Sequence, residues 1–306
     1  MERYRGRFAP SPTGPLHFGT LVAAVGSYLE ARTRGGAWLV RIEDPDPPRV
    51  VPGAAEEMLR ALQAFGMSWD GTVVRQSARL PAYHNALHQL RSKGLVYACA
   101  CSRREIADSA ISGIEGFVYA GTCREGLLQG RRARVQRVVT RGAVIAFDDA
   151  LQGRIEHDLE KDIGDFVLYR SDRVYAYQLA VVIDDAEQGI TDIVRGADLL
   201  DSTSRQIHLQ RLLGLATPRY AHLPVVVGET GEKLSKQTLA APVDPGRPVA
   251  VLSAALAFLG QQPPDRLARG TLPEFWQWAM SNWNLERVPR VRAAPAPPFR
   301  EQVSGR

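Results

Sequence analysis

A chain of 306 residues, 45% hydrophobic and 23% charged, holds one large domain or two smaller ones, with ample apolar content for a core. Apolar runs such as 225–227 are far too short to span a bilayer. Three cysteines, all between Cys99 and Cys123, argue against a disulfide framework and for a local metal or structural site, and a net charge of +5 permits a polyanionic partner without showing one.

In chain order, residues 4–9 read as a first strand and 18–33 carry helical periodicity, stopped by Gly35 and Gly36. Residues 37–42 read as a second strand, with Glu43, Asp44 and Pro45 at its carboxyl end. Helices follow over 54–65 and 79–93, the latter closed by Gly94. This alternation predicts an α/β fold with a doubly wound parallel sheet of the Rossmann type, its ligands bound beyond the carboxyl ends of the strands. Residues 1–95 are its first half.

Residues 96–174 break that rhythm and read as an inserted subdomain. They hold the cysteines, a basic stretch (Arg131, Arg132, Arg134, Arg137) and short β-like runs such as 143–147. Residues 175–240 read as the second half. There Tyr177 is placed on a strand face, 190–194 as a strand, 202–213 as a helix and 223–227 as the last strand. Arg195 falls at a strand end, between an apolar run and Gly196. Residues 241–306 read as a helical C-terminal region. Its tail, 286–306, has four prolines, five arginines and little periodicity, and reads as mobile.

Two segments carry most of the chemistry. Pro10, Ser11, Pro12, Thr13 and Gly14 form a rigid turn between the first strand and a helix that opens near His17. Helix entries of this kind hold phosphate on outward backbone N–H groups. His17 can add a hydrogen bond, and Gly19 lets a ring approach without a Cβ. Taken alone, the segment is equally an ordinary Pro/Gly turn capping a core helix. The second segment holds Lys233 and Lys236, two of the chain's four lysines, on a loop with Gly228 and Gly231. A mobile ammonium there differs from the guanidinium this chain uses elsewhere. The plainer alternative is a solvated charged turn, which the scarcity of lysine disfavours. His84 and His88, one helical turn apart, read as a helix face with no third metal ligand nearby.

The strings His17-Phe18-Gly19-Thr20 and Lys233-Leu234-Ser235-Lys236-Gln237 resemble the HIGH and KMSKS signatures of class I aminoacyl-tRNA synthetases. Thr20 and Gln237 stand where the family has His and Ser. The string from Arg5 to Gly14 is similar to the glutamyl-tRNA synthetase branch, and the 70 residues after Lys236 to its short paralogues without an anticodon-binding domain.

The resemblance implies activation of L-glutamate by ATP and Mg²⁺ as glutamyl-adenylate without tRNA, then transfer to queuosine in the wobble position of the tRNA(Asp) anticodon loop. It implies that Arg7, Ser11, Glu43, Tyr177 and Arg195 hold glutamate, and that Pro10, His17, Gly19, Thr20 and Lys236 hold ATP, with Lys233 assisting. An acidic substrate suits arginine forks, and its ammonium suits Glu43. Three cysteines alone are a moderate zinc signal. The family pattern makes Cys99, Cys101, Cys123 and Tyr119 a structural Zn²⁺ site. The expected state is a cytoplasmic monomer without membrane contact. A truncated glutamyl-tRNA synthetase charging a tRNA 3′ end, and a non-catalytic nucleotide- or amino-acid-binding paralogue, remain open.

Overall fold

The computed structural model describes residues 3–108, 112–114, 116–228 and 242–296. Lys233, Lys236 and Gln237 lie outside the described residues.

The strand Arg5–Phe8 pairs in parallel with Ala37–Ile42, which in turn pairs with Val74–Arg75. The second half forms a sheet of its own. Asp192–Gly196 runs parallel to Arg219–Leu223, which takes Val144–Asp149 on its far side through Tyr220 and Asp149. Gly153–Asp158 closes that edge antiparallel. The two sheets meet where Thr191 N–H donates to the Arg5 carbonyl at 3.0 Å and Arg5 N–H to Thr191 Oγ1 at 2.9 Å. A hairpin from within 96–174 therefore extends the second sheet, which brings Asp149 beside His222.

The helix Phe18–Thr33 is buried almost all round. Its Leu21, Val22, Val25 and Leu29 share one core with Leu252 and Leu256 of helix Pro248–Phe258 and Phe275 of helix Leu272–Asn282. That two-sided burial explains why its sequence lacks a polar face. It also makes the helix a rigid floor for whatever its N-terminus holds. No helix among the described residues is long and apolar enough to cross a membrane.

Three expectations need correction. Tyr177 is not on a strand face; it opens the helix Tyr177–Glu187. Residues 179–183 are all buried, so the run is continuously apolar and β-branched and reads like an inner strand. Residues 223–227 are not one strand. Pro224 lacks the N–H a ladder needs, and the chain switches from Arg219–Leu223 to Val225–Val227 with a new partner. That partner is Ala293–Pro295, paired in parallel with Val225–Val227, so part of the tail is an ordered strand.

Candidate active site

Five polar side chains leave the carboxyl ends of parallel strands and converge. Arg7, Arg195 and His222 are each the last residue but one of their parallel strands, Asp149 is the last of its strand, and Glu43 follows Ile42. The Pro10–Gly14 turn is tied to the same place by backbone bonds. Glu43 N–H donates to the Pro10 carbonyl at 3.0 Å, and Val51 N–H to the Pro12 carbonyl at 2.9 Å. Gly14 takes φ 144°, a conformation that requires glycine at the bend.

A cleft of about 660 Å³ opens over these ends. Its lining includes Arg7, Pro10, Ser11, His17, Gly19, Thr20 and Arg195. The sequence-expected glutamate and ATP residues with described side chains are thus brought together. Glu43 is buried beneath the cleft, and Tyr177 reaches it through Arg195.

His17 caps the helix Phe18–Thr33. Its Nδ1 accepts from Thr20 N–H at 3.3 Å, so in the neutral ring the proton sits on Nε2, 2.7 Å from Thr20 Oγ1. With no acidic residue in the first turn, the helix start keeps its positive potential for an anion.

Around Arg7 lies a buried ionic network. Arg7 Nε donates to Asp185 Oδ1 at 3.1 Å. Arg41, fully buried, places Nη2 2.8 Å from the same oxygen and 3.4 Å from Glu43 Oε1. Asp184 accepts from Gln76 at 2.8 Å, from Tyr83 at 2.7 Å and from Arg79. Burial pushes the Glu43 carboxyl above its ordinary value, with Arg41 and then Arg7 pulling the other way. Burial acts on Asp185 too, but Arg7 and Arg41 outweigh it and hold that carboxyl low.

Arg195 is held differently. Its Nε donates to His222 Nε2 at 3.0 Å, and its Nη2 to Thr203 Oγ1 at 2.9 Å and Gln206 Oε1 at 2.8 Å. Its Nη1 is 3.4 Å from the Tyr177 hydroxyl. Burial pushes the Tyr177 phenol up, with Arg195 opposing.

Arg41, Asp184, Asp185, His222 and Asp149 were not anticipated from sequence. A signal was present. Arg41, His222 and the Asp184–Asp185 pair each interrupt or close an apolar run, and a charge placed there needs a buried partner.

Apart from the cleft, Cys99, Cys101 and Cys123 bring their sulfur atoms within 4.8 Å of one another. The Tyr119 hydroxyl is 3.3 Å from Cys99 Sγ and 3.6 Å from Cys101 Sγ. Three sulfurs and one oxygen on a common centre suit a tetrahedral Zn²⁺ by number and chemistry. Burial, then hydrogen bonds to the three cysteines, push the phenol well above its ordinary value, so it acts as a phenolate ligand only if a bound metal displaces its proton to solvent. None of the four lines the cleft, which fits a structural site.

Residues 3–247 match the family model of class I tRNA synthetases (E and Q), catalytic domain, and the chain belongs to that family as a ligase. Among curated relatives, the Glutamyl-Q tRNA(Asp) synthetase of Aromatoleum aromaticum is 60% identical over 294 residues, covering 96% of this chain and 93% of the relative. The protein of the same name from Dechloromonas aromatica is 60% identical, with 94% and 96% covered. The resemblance read from the two motifs is borne out, including its short branch. A glutamate tRNA ligase of Elizabethkingia meningosepticum, solved in complex with its amino acid, superposes with a TM-score of 0.77 at 26% identity. That match covers 97% of this chain and 67% of the ligase.

Proposed function

We propose that this chain activates L-glutamate with ATP and Mg²⁺, without need for tRNA, and transfers the glutamyl group to queuosine in the wobble position of tRNA(Asp). One observation supports the first half. The start of the helix Phe18–Thr33, with no acid in its first turn, and the buried guanidiniums of Arg7 and Arg195 line one cleft. The second half rests on relatives named for glutamyl-Q and tRNA(Asp), matched over more than nine-tenths of their own length.

In this reading Arg195 takes the glutamate side-chain carboxylate, with Arg7 and Tyr177 beside it. Glu43 and Ser11 receive the ammonium. The α-carboxylate oxygen attacks the α-phosphorus of ATP, the bond to the β-phosphate bridging oxygen breaks, and pyrophosphate leaves. His17 donates from Nε2 to Thr20 Oγ1, which leaves the threonine O–H to donate to ATP. Pro10 and Gly19 frame the nucleotide. Lys236, assisted by Lys233, stabilises charge growing on the phosphoryl oxygens; mobile cations act there more in the transition state than before it. A queuosine hydroxyl then attacks the acyl carbonyl and AMP leaves. Cys99, Cys101, Cys123 and Tyr119 would hold Zn²⁺, which cross-links the inserted region and takes no part in the steps. The enzyme works as a cytoplasmic monomer.

Glutamate-dependent ATP–pyrophosphate exchange without tRNA tests the first half. No exchange would favour a non-catalytic paralogue, and exchange requiring tRNA would favour a truncated glutamyl-tRNA synthetase.

A further inference from the structure

Arg195 and Arg7 differ in one respect that decides which of them reads substrate charge. Arg7 is paired with a carboxylate, Asp185. The hydrogen-bond partners of Arg195 are all neutral: His222, Tyr177, Thr203, Gln206 and the Leu199 carbonyl. The Tyr220 ring lies 5.6 Å beneath the guanidinium. Arg195 is 5% exposed, so a full positive charge stands in a largely dry place with no direct counter-charge among the described residues. Four of its five N–H groups are engaged, which leaves one Nη1 N–H at the cleft.

The neutral contact at Nε is itself fixed. Because Arg195 Nε–H is a donor, His222 Nε2 must carry a lone pair. The ring proton is therefore on Nδ1, 2.6 Å from Asp149 Oδ2. Asp149 is anchored in turn, since its Oδ1 accepts from Leu151, Gln152 and His222 N–H at 2.9–3.1 Å. His222 and Asp149 are 0% and 4% exposed.

We infer that Asp149 and His222 are positioning residues that hold Arg195 in aim while keeping its charge unneutralised, so that Arg195 selects glutamate over glutamine. A carboxylate touching Arg195 directly would position it equally well and cancel the charge the substrate must meet. The imidazole puts a neutral ring between them. This inference rests on the assignment of Arg195 to the substrate side chain.

Four variants test it by KM for glutamate and for ATP in pyrophosphate exchange, with melting temperature as a check on folding. His222→Leu removes the acceptor and should raise the glutamate KM by about tenfold to a hundredfold, with the ATP KM within about threefold of wild type. His222→Gln can return an acceptor to Arg195 Nε and should recover most of that loss. In Asp149→Asn the amide nitrogen facing His222 forces the other tautomer, which sets two donors against each other at Arg195, so the glutamate KM should rise without loss of shape. The preference for glutamate over glutamine should fall in step. A folded His222→Leu with wild-type glutamate KM, or a His222→Gln no better than it, overturns the inference. If His222→Leu does not fold, His222→Gln must still bind glutamate better than Asp149→Asn; the reverse order overturns it. Arg195→Ala separates the two readings. If it leaves the glutamate KM unchanged, the assignment of Arg195 fails. If it raises the KM while His222→Leu does not, only the positioning role fails.

Discussion

Arg7 Nε lies 3.1 Å from Asp185 Oδ1, and both side chains are buried. Arg7 is on the strand Arg5–Phe8 of the first half and Asp185 on the helix Tyr177–Glu187 of the second, so this ion pair joins the two halves. Arg41 shares Asp185 with Arg7 and also approaches Asp184 at 3.8 Å. Removing the shared cation leaves buried carboxylates under-compensated. Arg41→Leu should therefore destabilise the fold by about 3–5 kcal/mol in urea denaturation. A loss under about 1 kcal/mol would mean that the network is not what holds the halves together.

Arg7→Lys should not pass as conservative. An ammonium has all its donors on one nitrogen and cannot reproduce the guanidinium fork, which faces Asp185 through Nε and Nη2 and leaves Nη1 for the cleft. Glutamate KM should rise by about tenfold or more. An unchanged KM would remove Arg7 from the substrate's surroundings.

Acid stability has a defined window. Burial pushes the His222 imidazole down to about 4 against the pull of Asp149, and Arg195 adds to the depression. Above the unfolded value near 6.5 both states are neutral and this group's contribution is fully present. As pH falls from about 6.5 to 4 the unfolded chain takes up the proton first, and stability is lost. The loss attributable to His222 is on the order of 3 kcal/mol. Urea denaturation of wild type and His222→Gln across this range measures it. The variant's curve should be flatter there, and parallel curves would contradict the neutral buried ring.

Cys101→Ser should release one equivalent of zinc and loosen residues 96–174, while adenylate formation persists in part. Metal analysis of carefully purified wild type checks the premise, and finding no zinc would remove the site.

The parts legible in sequence were those with local signatures. The Pro10–Gly14 turn, the helix Phe18–Thr33 and the strand Ala37–Ile42 were read to the residue or close to it, because the Pro/Gly turn before the helix and Gly35-Gly36 after it bracket them locally. Arg195 was correctly set at a strand end. Tyr177 was misplaced because burial on every side erases helical periodicity. The Asp149–His222–Arg195 chain was not legible at all. Its members are 73 and 27 residues apart, and sequence does not say that a hairpin at 144–158 pairs with the strand Arg219–Leu223. The role of Lys236 remains a reading of sequence. Lys236→Ala should lower the activation rate by about 10²–10³ in single turnover with little change in glutamate KM. A loss confined to KM would contradict that role.

The acceptor RNA decides between transfer to queuosine and charging of a tRNA 3′ end. RNA loops present unpaired bases that protein can contact along their edges, and a modified base bearing hydroxyls supplies the nucleophile. The measurement is transfer of labelled glutamate to three RNAs: native tRNA(Asp) containing queuosine, the same tRNA with its 3′ end removed, and an unmodified transcript. Equal labelling of the first two and none of the third is expected. Labelling that disappears with the 3′ end, or proceeds equally on the transcript, would contradict it and identify a synthetase that charges the acceptor end.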